Sequence, residues 1–218
     1  IQGKESAMHR TGVIGLGDMG SGLAKNLIAN GLPVTGFDLD DARMKAFTDM
    51  GGTPAQSAAE VGQQSDAVYV MVMTGDQAKA VILGEEGLVS TLDKGSAVLL
   101  TATIKPSEAR EIGAAMEGSG IHLIDTPVSG GFPGAQGGTL TMMAAADEGV
   151  LDEYAAVMDA VSGTIHRVGT NPGEGQTVKA CLQSLIGSIF TATFEASVLA
   201  AKAGISGQVL YEVFSTSG

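Results

Sequence analysis

Hydrophobic positions in the first 170 residues alternate between short apolar runs and longer segments with helical spacing. The short runs predict strands at residues 11–14, 34–37, 66–73, 97–100, 121–124 and 164–168, and a further apolar run occupies 139–146. Helical spacing predicts helices at 23–28, 41–50, 58–64, 76–83, 106–118 and 148–161. The run at 66–73 is almost continuously apolar, which is typical of a central parallel strand with both faces buried. The alternation predicts an α/β fold with a mainly parallel, doubly wound sheet.

The pattern changes after residue 169, where Pro172 and three glycines within residues 169–175 indicate a junction. We predict a first domain over residues 8–169 and the first helices of an all-α C-terminal domain over residues 170–218. The helical pattern at 176–203 is apolar or small on most sides, which predicts burial between domains or between subunits. We therefore expect a homodimer or a homotetramer. Residues 1–7 have no periodicity, and we interpret them as a non-native leader before a native start at Met8.

Composition and charge exclude several classes of partner. The chain has 12 Lys and Arg against 24 Asp and Glu, a net charge of −12, which argues against nucleic acid and anionic membrane surfaces. No apolar run approaches the roughly 18 residues of a membrane span. The single cysteine, Cys181, rules out an intramolecular disulfide bond within these 218 residues and favours a cytoplasmic location.

The most informative motif is the segment Gly15-Leu-Gly-Asp-Met-Gly20, which lies between the first predicted strand and the first predicted helix. In a dinucleotide-binding loop of the Rossmann type, the first glycine allows a tight turn and the second lets the backbone approach a pyrophosphate. The third lets the helix pack close to the strand. The pyrophosphate would lie at the positive end of the helix. The predicted cofactor contacts in this loop are Gly15, Leu16, Gly17, Asp18, Met19 and Gly20.

A carboxylate follows where a ribose ligand is required. Asp38 ends the second predicted strand, 18 residues after Gly20, where it would accept hydrogen bonds from both ribose hydroxyls and repel a 2′-phosphate. This favours NAD over NADP as the cofactor. Ligands of open α/β sheets bind beyond the carboxyl ends of the strands, which adds Met73, Thr74 and the segment from Thr101 to Thr103 to the predicted cofactor edge.

Two further features indicate a substrate site. Ser129, Gly130 and Gly131 follow a strand end and offer a hydroxyl and approachable N–H groups, which suits a carboxylate or a phosphate better than a loop without a ligand. Lys179 stands among apolar residues early in the long helix. Two interpretations of it stay open: a lysine whose stem covers apolar surface, or an acid/base catalyst whose pKa is lowered by desolvation and a nearby nicotinamide. Gln183, one turn later, shares its helix face.

The remaining chemistry-bearing side chains favour structural roles. His9, His122 and His166 have no companions at metal-ligand spacing, so we expect no metal site. Cys181 points elsewhere on the helix than Lys179, and packing is the preferred interpretation.

Four segments in order resemble one known family: Gly15-Leu-Gly-Asp-Met-Gly20, Thr103-Ile-Lys-Pro106, Asp125-Thr-Pro-Val-Ser-Gly-Gly131 and Gly173-Glu-Gly-Gln-Thr-Val-Lys179. They are similar to signatures of the β-hydroxyacid dehydrogenases, which include 3-hydroxyisobutyrate dehydrogenase, tartronate semialdehyde reductase and L-threonate dehydrogenase. The resemblance covers residues 10–218. It implies NAD(P)-dependent oxidation of a short β-hydroxy acid, with Lys179 as general acid/base and the Ser129 loop binding the substrate carboxylate. It also implies that Thr103 contacts the cofactor and that Asp38 selects NAD.

The chain departs from this family at the residues after the lysine. Many members have two asparagines there, the second of which contacts substrate, whereas this chain has Leu182 and Gln183. A glutamine at the second position is similar to threonate-type members and indicates a polyhydroxy acid, although their first position is more polar than leucine. Family members also continue with more helices, which implies either a longer protein or a truncated product.

Two alternatives stay open from the sequence. One is an NADH-dependent reductase of a semialdehyde acid such as tartronate semialdehyde, since one site serves both directions; imine-reducing relatives usually lack the lysine. The other is a non-catalytic dinucleotide-binding protein, although such a protein needs neither Ser129 nor Lys179.

Overall fold

The computed structural model describes residues 8–217, so the predicted leader at residues 1–7 lies outside the described residues. The chain divides into two compact units, one extending through Lys179 and the other beginning at Ala180. The division falls inside the long helix, and the predicted domain boundary near residue 169 stays a prediction.

The first unit is built on one sheet. Its strands in chain order are β1 (Thr11–Ile14), β2 (Val34–Phe37), β3 (Thr53–Pro54), β4 (Ala67–Val70), β5 (Ala97–Leu100), β6 (His122–Asp125), β7 (Val128–Ser129), β8 (Leu140–Ala145) and β9 (Ser162–Gly169). Six strands are parallel in the order β3-β2-β1-β4-β5-β6. β8 then pairs antiparallel with β6 and β7, and β9 pairs parallel with β8. The order of the six parallel strands, 3-2-1-4-5-6, is that of a Rossmann-type sheet.

Helices connect and cover these strands. In chain order they are α1 (Asp18–Ala29), α2 (Asp41–Asp49), α3 (Ala58–Gln63), α4 (Gly75–Leu83), α5 (Leu88–Thr91), α6 (Pro106–Met116), α7 (Gly131–Gly137), α8 (Glu148–Glu153), α9 (Ala155–Asp159), α10 (Glu174–Lys202) and α11 (Gly207–Thr216). Ser57 caps α3 by accepting a hydrogen bond from Glu60 N–H, and Asp40 caps α2 in the same way through Ala42 and Arg43. Pro106 opens α6, where its missing N–H costs nothing.

Both faces of the sheet are buried, and the alternation of side chains along β4 shows how. Ala67 and Tyr69 belong to a core under α1, whereas Val68 and Val70 belong to a second core under α4 and α6. This segment is apolar throughout because its alternate side chains pack into two different cores, one on each face of the sheet. The predicted α/β fold with a mainly parallel, doubly wound sheet and a helical C-terminal region is confirmed.

The structure corrects the prediction in the glycine-rich segment and in the helix at 148–161. The glycines around residue 131 form α7, which packs on α1 so closely that a Cβ on Gly22 would lie 2.6 Å from the Ala135 carbonyl carbon. The predicted helix at 148–161 breaks at Tyr154, where the buried Tyr154 hydroxyl donates to the Gly95 carbonyl. Neither long-range contact has a local sequence signal.

The second unit, from Ala180, holds the rest of α10 and α11. Large apolar side chains are exposed along both helices, among them Phe194 and Leu199 on α10 and Tyr211 on α11. The described residues therefore do not bury this surface. By length and composition alone α10 could cross a membrane, because its mean hydropathy stays in the range of a membrane-spanning helix despite its scattered polar residues. The expectation that no apolar stretch approaches the length of a membrane span does not hold for α10. A single helix of this kind is weak evidence for a membrane protein.

Candidate active site

The glycine loop between β1 and α1 has the sterics that a phosphate cradle requires. Gly15 has φ +90°, and a Cβ there would lie 2.2 Å from the Met71 carbonyl oxygen where the chain leaves β4. A Cβ on Gly20 would lie 1.7 Å from the Gly15 carbonyl oxygen, so the first turn of α1 sits directly on the loop. The helix N-terminus at Gly17 has no side-chain cap. Its free N–H groups fit an anion such as a dinucleotide pyrophosphate.

Asp38 is fixed beside this loop by backbone N–H groups. One carboxylate oxygen, Oδ2, accepts from Leu16 N–H at 2.7 Å, and Oδ1 accepts from Asp40 N–H at 3.0 Å. Arg43 Nη1 lies 3.4 Å from Oδ2. The Asp38 side chain is only 9% exposed. The sequence identified Asp38 but gave no sign of Arg43, because the contact depends on how the first turn of α2 is oriented.

The other predicted cofactor contacts lie at the same edge of the sheet, at the carboxyl ends of β4 and β5. Met73 is 85% exposed, and its N–H donates to the Gln77 side chain. Thr74 caps α4 through Gln77 N–H, so its side-chain oxygen is already engaged. Thr103 is exposed in the loop between β5 and α6. Asp18 is also exposed and Met19 is half-buried, both in the first turn of α1.

The first turn of α10 is anchored to the ends of β5 and β6 by the buried side chains of Asp125 and Gln176, to which the sequence alone assigned no role. Asp125 Oδ2 accepts from Gly173 N–H at 2.8 Å and from Gln176 N–H at 3.2 Å. Gln176 Nε2 donates to Asp125 Oδ1 and to the Ala102 carbonyl, both at 3.0 Å, and Gln176 Oε1 accepts from Ile104 N–H at 3.0 Å. Gln176 therefore holds the backbone on both sides of Thr103.

This anchoring is tight. A Cβ on Gly175 would lie 2.5 Å from the Met143 carbonyl oxygen and 2.7 Å from that of Asp125. Burial raises the pKa of Asp125, while the hydrogen bonds from Gln176 and Gly173 act in the opposite direction. Asp125 and Gln176 both lie in segments that carry the family resemblance, but the sequence did not indicate that their side chains meet.

Lys179 follows Gln176 by less than one turn of α10 and is buried, with 7% of its surface exposed. Desolvation lowers the pKa of its ammonium below the ordinary value, and no charged neighbour among the described residues offsets this. Lysine is almost never buried without a partner. The burial of this side chain therefore makes its amine easier to deprotonate than that of a solvent-exposed lysine.

Ser129, Gly130 and Gly131, the predicted substrate-binding segment, extend from the end of β7 to the start of α7, and their role stays a prediction. Ser129 follows Asp125 by four residues. It is half-buried on β7 and pairs with Thr141 of β8. Gly130 has φ +130° and Gly131 φ +58°, and Gly131 begins α7. The segment from Ser129 to Gly131 is therefore a strand end leading into a short helix, and both glycines are exposed.

The remaining candidates are placed as follows. Gln183 lies in the second unit and is exposed, and its substrate role stays a prediction. Cys181 is also exposed, so the packing role predicted for it is wrong within the described chain. His9 stacks on Tyr154 with ring centroids 4.6 Å apart, and His122 lies within β6. Residues 8–217 contain no cluster of three His, Cys, Asp or Glu that could hold a metal ion.

The sheet order and glycine loop define a dinucleotide-binding domain, and comparison with known proteins specifies it further. Residues 10–169 match the NAD-binding domain of 6-phosphogluconate dehydrogenase, and residues 173–218 match the NAD-binding domain of NADP-dependent 3-hydroxyisobutyrate dehydrogenase. The chain belongs to the β-hydroxyacid dehydrogenase family, and it is a hydroxyacid oxidoreductase with NAD as its primary cofactor. The apolar helix α10 falls within the second match.

Individual relatives agree with this assignment. L-threonate dehydrogenase of Escherichia coli is 36% identical over 215 residues, which are 98% of this chain and 71% of that enzyme. The NAD-dependent L-serine dehydrogenase of Pseudomonas aeruginosa is 33% identical, over 96% of this chain and 70% of that enzyme. The crystal structure of 3-hydroxyisobutyrate dehydrogenase from Salmonella typhimurium superposes with a TM-score of 0.87 at 35% identity, over 96% of this chain and 73% of that one.

Proposed function

We propose that this protein oxidises a short β-hydroxy acid, of the threonate or 3-hydroxyisobutyrate type, to the oxo acid with NAD. The observation that carries the proposal is the desolvated Lys179 on the first turns of α10, which the hydrogen bonds of Gln176 and Asp125 anchor to the sheet edge that also bears the glycine loop. A lysine whose pKa is lowered by desolvation is better suited to proton transfer near neutral pH than an exposed lysine.

The chain's own residues have distinct roles in this reaction. The loop from Gly15 to Gly20 binds the pyrophosphate and Asp38 the adenosine ribose, and Met73, Thr74 and Thr103 line the same edge. NAD, when bound, supplies the hydride acceptor. Ser129, Gly130 and Gly131 bind and orient the substrate carboxylate.

Lys179 Nζ takes the proton of the substrate hydroxyl as the C–H bond transfers its electron pair. The substrate loses two electrons and two hydrogens in all: a hydride to the cofactor and a proton to the lysine. In the reverse direction the lysine returns the proton, so reduction of a semialdehyde acid uses the same residues.

The substrate is proposed to be a polyhydroxy acid such as L-threonate. The family resemblance implies that Gln183 corresponds to a glutamine of threonate-type members, and several relatives above 30% identity are named L-threonate dehydrogenases. Leu182 cannot hydrogen-bond, so a second polar contact at that position is not part of the proposal.

We also propose a cytoplasmic homodimer or homotetramer with a domain boundary near residue 169. The exposed apolar side chains of α10 and α11 support association, because so many large apolar side chains are normally covered in a soluble protein. Light scattering coupled to size-exclusion chromatography tests it, and a monomer at micromolar concentration would refute it.

The test of the reaction is NADH formation at 340 nm with L-threonate, D-glycerate, 3-hydroxyisobutyrate, L-serine and 3-hydroxypropionate, each with NAD and NADP. Turnover of L-threonate with NAD, and much weaker turnover with NADP, is expected. Binding of NADH without turnover of any acid would contradict the proposal and favour a non-catalytic dinucleotide-binding protein.

A further inference from the structure

Arg43 occupies the neighbourhood of the predicted adenosine ribose site without a strong partner. Its guanidinium lies 3.4 Å from Asp38 Oδ2 and 3.9 Å from Asp40 Oδ2, and the side chain is 52% exposed. Ion pairs this long and this exposed are weak. Arg43 can therefore exchange these carboxylates for another anion without a large cost.

The acceptor positions of Asp38 show that the arginine and a ribose compete. A carboxylate offers about four lone-pair positions. In this structure Leu16 N–H, Asp40 N–H and Arg43 Nη1 take three of them. Two ribose hydroxyls need two positions, so NAD can engage Asp38 fully only if Arg43 moves off Oδ2.

The space beside Arg43 is open. A cleft of about 310 Å³ lies between the first turn of α1 and α2, and its lining includes Gly17, Ser21, Arg43 and Phe47. A Cβ on Gly17 would lie 3.8 Å from the Arg43 guanidinium, so the arginine stands over the loop that is to hold the cofactor. Asp40, the cap of α2, lies near Arg43 Nε and Asp38 Oδ2 lies near Nη1, so Nη2 has no hydrogen-bond acceptor among the described residues and faces no competitor for an anion in the cleft.

We propose that Arg43 can bind the 2′-phosphate of NADP and that the Asp38 carboxylate prevents it from doing so. With Asp38 present, the carboxylate pairs with the arginine or binds the ribose, and it repels a 2′-phosphate in either state. Without that carboxylate, the same arginine becomes the cation that a 2′-phosphate requires. The inference rests on the assignment of Asp38 to the ribose in the proposed function.

The test is the dissociation constant of NADH and of NADPH, measured by nucleotide fluorescence with the full chain and without substrate. Asp38→Ser is expected to tighten NADPH binding about tenfold. In that background Arg43→Gln is expected to weaken NADPH binding by about tenfold and NADH binding by less than about threefold. Lys45→Gln is the matched control, because Lys45 is on the same helix but pairs with Asp49; it should change neither constant.

Two outcomes would overturn the inference. Equal losses of NADH and NADPH binding on Arg43→Gln would mean that Arg43 does not contact the 2′-phosphate, while leaving the role of Asp38 intact. Unchanged NADH and NADPH binding in Asp38→Ser would remove Asp38 from the ribose site and the inference with it. If Asp38→Ser does not fold, Asp38→Asn keeps an acceptor for Leu16 N–H, and competition by adenosine 2′,5′-bisphosphate against 5′-AMP gives the same comparison. None of these readouts depends on turnover.

Discussion

Gln176→Ala should both destabilise the first unit and slow the reaction, because this side chain joins α10 to the ends of two strands. The substitution removes hydrogen bonds to Ile104 N–H, the Ala102 carbonyl and the Asp125 carboxylate, all of them in buried or partly buried positions. A neutral bond of this kind contributes about 0.5–1.5 kcal/mol and one to a charged group about 1.5–3 kcal/mol. The expected loss for two neutral bonds and one charged bond is therefore about 2.5–6 kcal/mol, which lowers Tm by roughly 5–20 °C in a chain of this size.

The catalytic effect follows from the position of Lys179, three residues after Gln176 on the same turn of helix. Loss of the anchor lets the lysine move relative to Thr103 and Ser129, and a shift near 1 Å costs about 10²-fold in kcat. Differential scanning fluorimetry and steady-state kinetics measure the two effects.

Gln208→Ala is the matched control for this prediction. Gln208 is exposed on α11, and its one side-chain hydrogen bond goes to Glu212, so its replacement should change stability by less than about 0.5 kcal/mol. A Gln176→Ala protein that melts within about 2 °C of the parent, with unchanged kcat, would refute the anchoring argument.

Three further predictions concern the lysine, the glycine loop and the core. Desolvation lowers the pKa of Lys179, so kcat/KM for oxidation should rise with pH and level off at an apparent pKa below 10.5; a pH-independent rate would contradict this. Gly20→Ala places a Cβ against the Gly15 carbonyl oxygen and should weaken NADH binding by at least about tenfold in a fluorescence titration, so unchanged binding would be evidence against the cradle. Tyr69→Phe leaves the buried Val157 carbonyl without its 2.8 Å hydrogen bond and should cost about 1–2 kcal/mol in urea unfolding at unchanged kcat; full stability would disprove it.

The fold was predictable because its signals are local. Apolar runs bounded by glycine and polar residues predicted β1, β2 and β5 at their observed bounds. Such short, continuously apolar runs fit few structures other than a strand buried on both faces of a sheet. The break at Tyr154 and the helix α7 were not predictable, because each depends on a contact with a distant segment. Local periodicity carries no information about such contacts.

The same difference between local signals and long-range contacts applies to the candidate site. The glycine loop and Asp38 follow from spacing, because a strand, a tight turn and a helix place them in one order. Gln176 and Arg43 act through side chains that reach another element, and nothing at their own positions distinguishes them from surface residues. The sequence left two interpretations of Lys179 open, a lysine whose stem covers apolar surface and an acid/base catalyst. Its burial with no charged neighbour among the described residues favours the acid/base interpretation.

The most direct test of the account is the rate of NADH formation from L-threonate by Lys179→Met, compared with the unsubstituted protein. Methionine keeps the length of the apolar stem and removes the amine, so kcat should fall by about 10²–10⁴-fold. The dissociation constant of NADH should stay within about twofold, because the lysine is assigned to the substrate hydroxyl and not to the dinucleotide. Near-normal turnover by Lys179→Met would contradict the central claim that this buried lysine moves the proton.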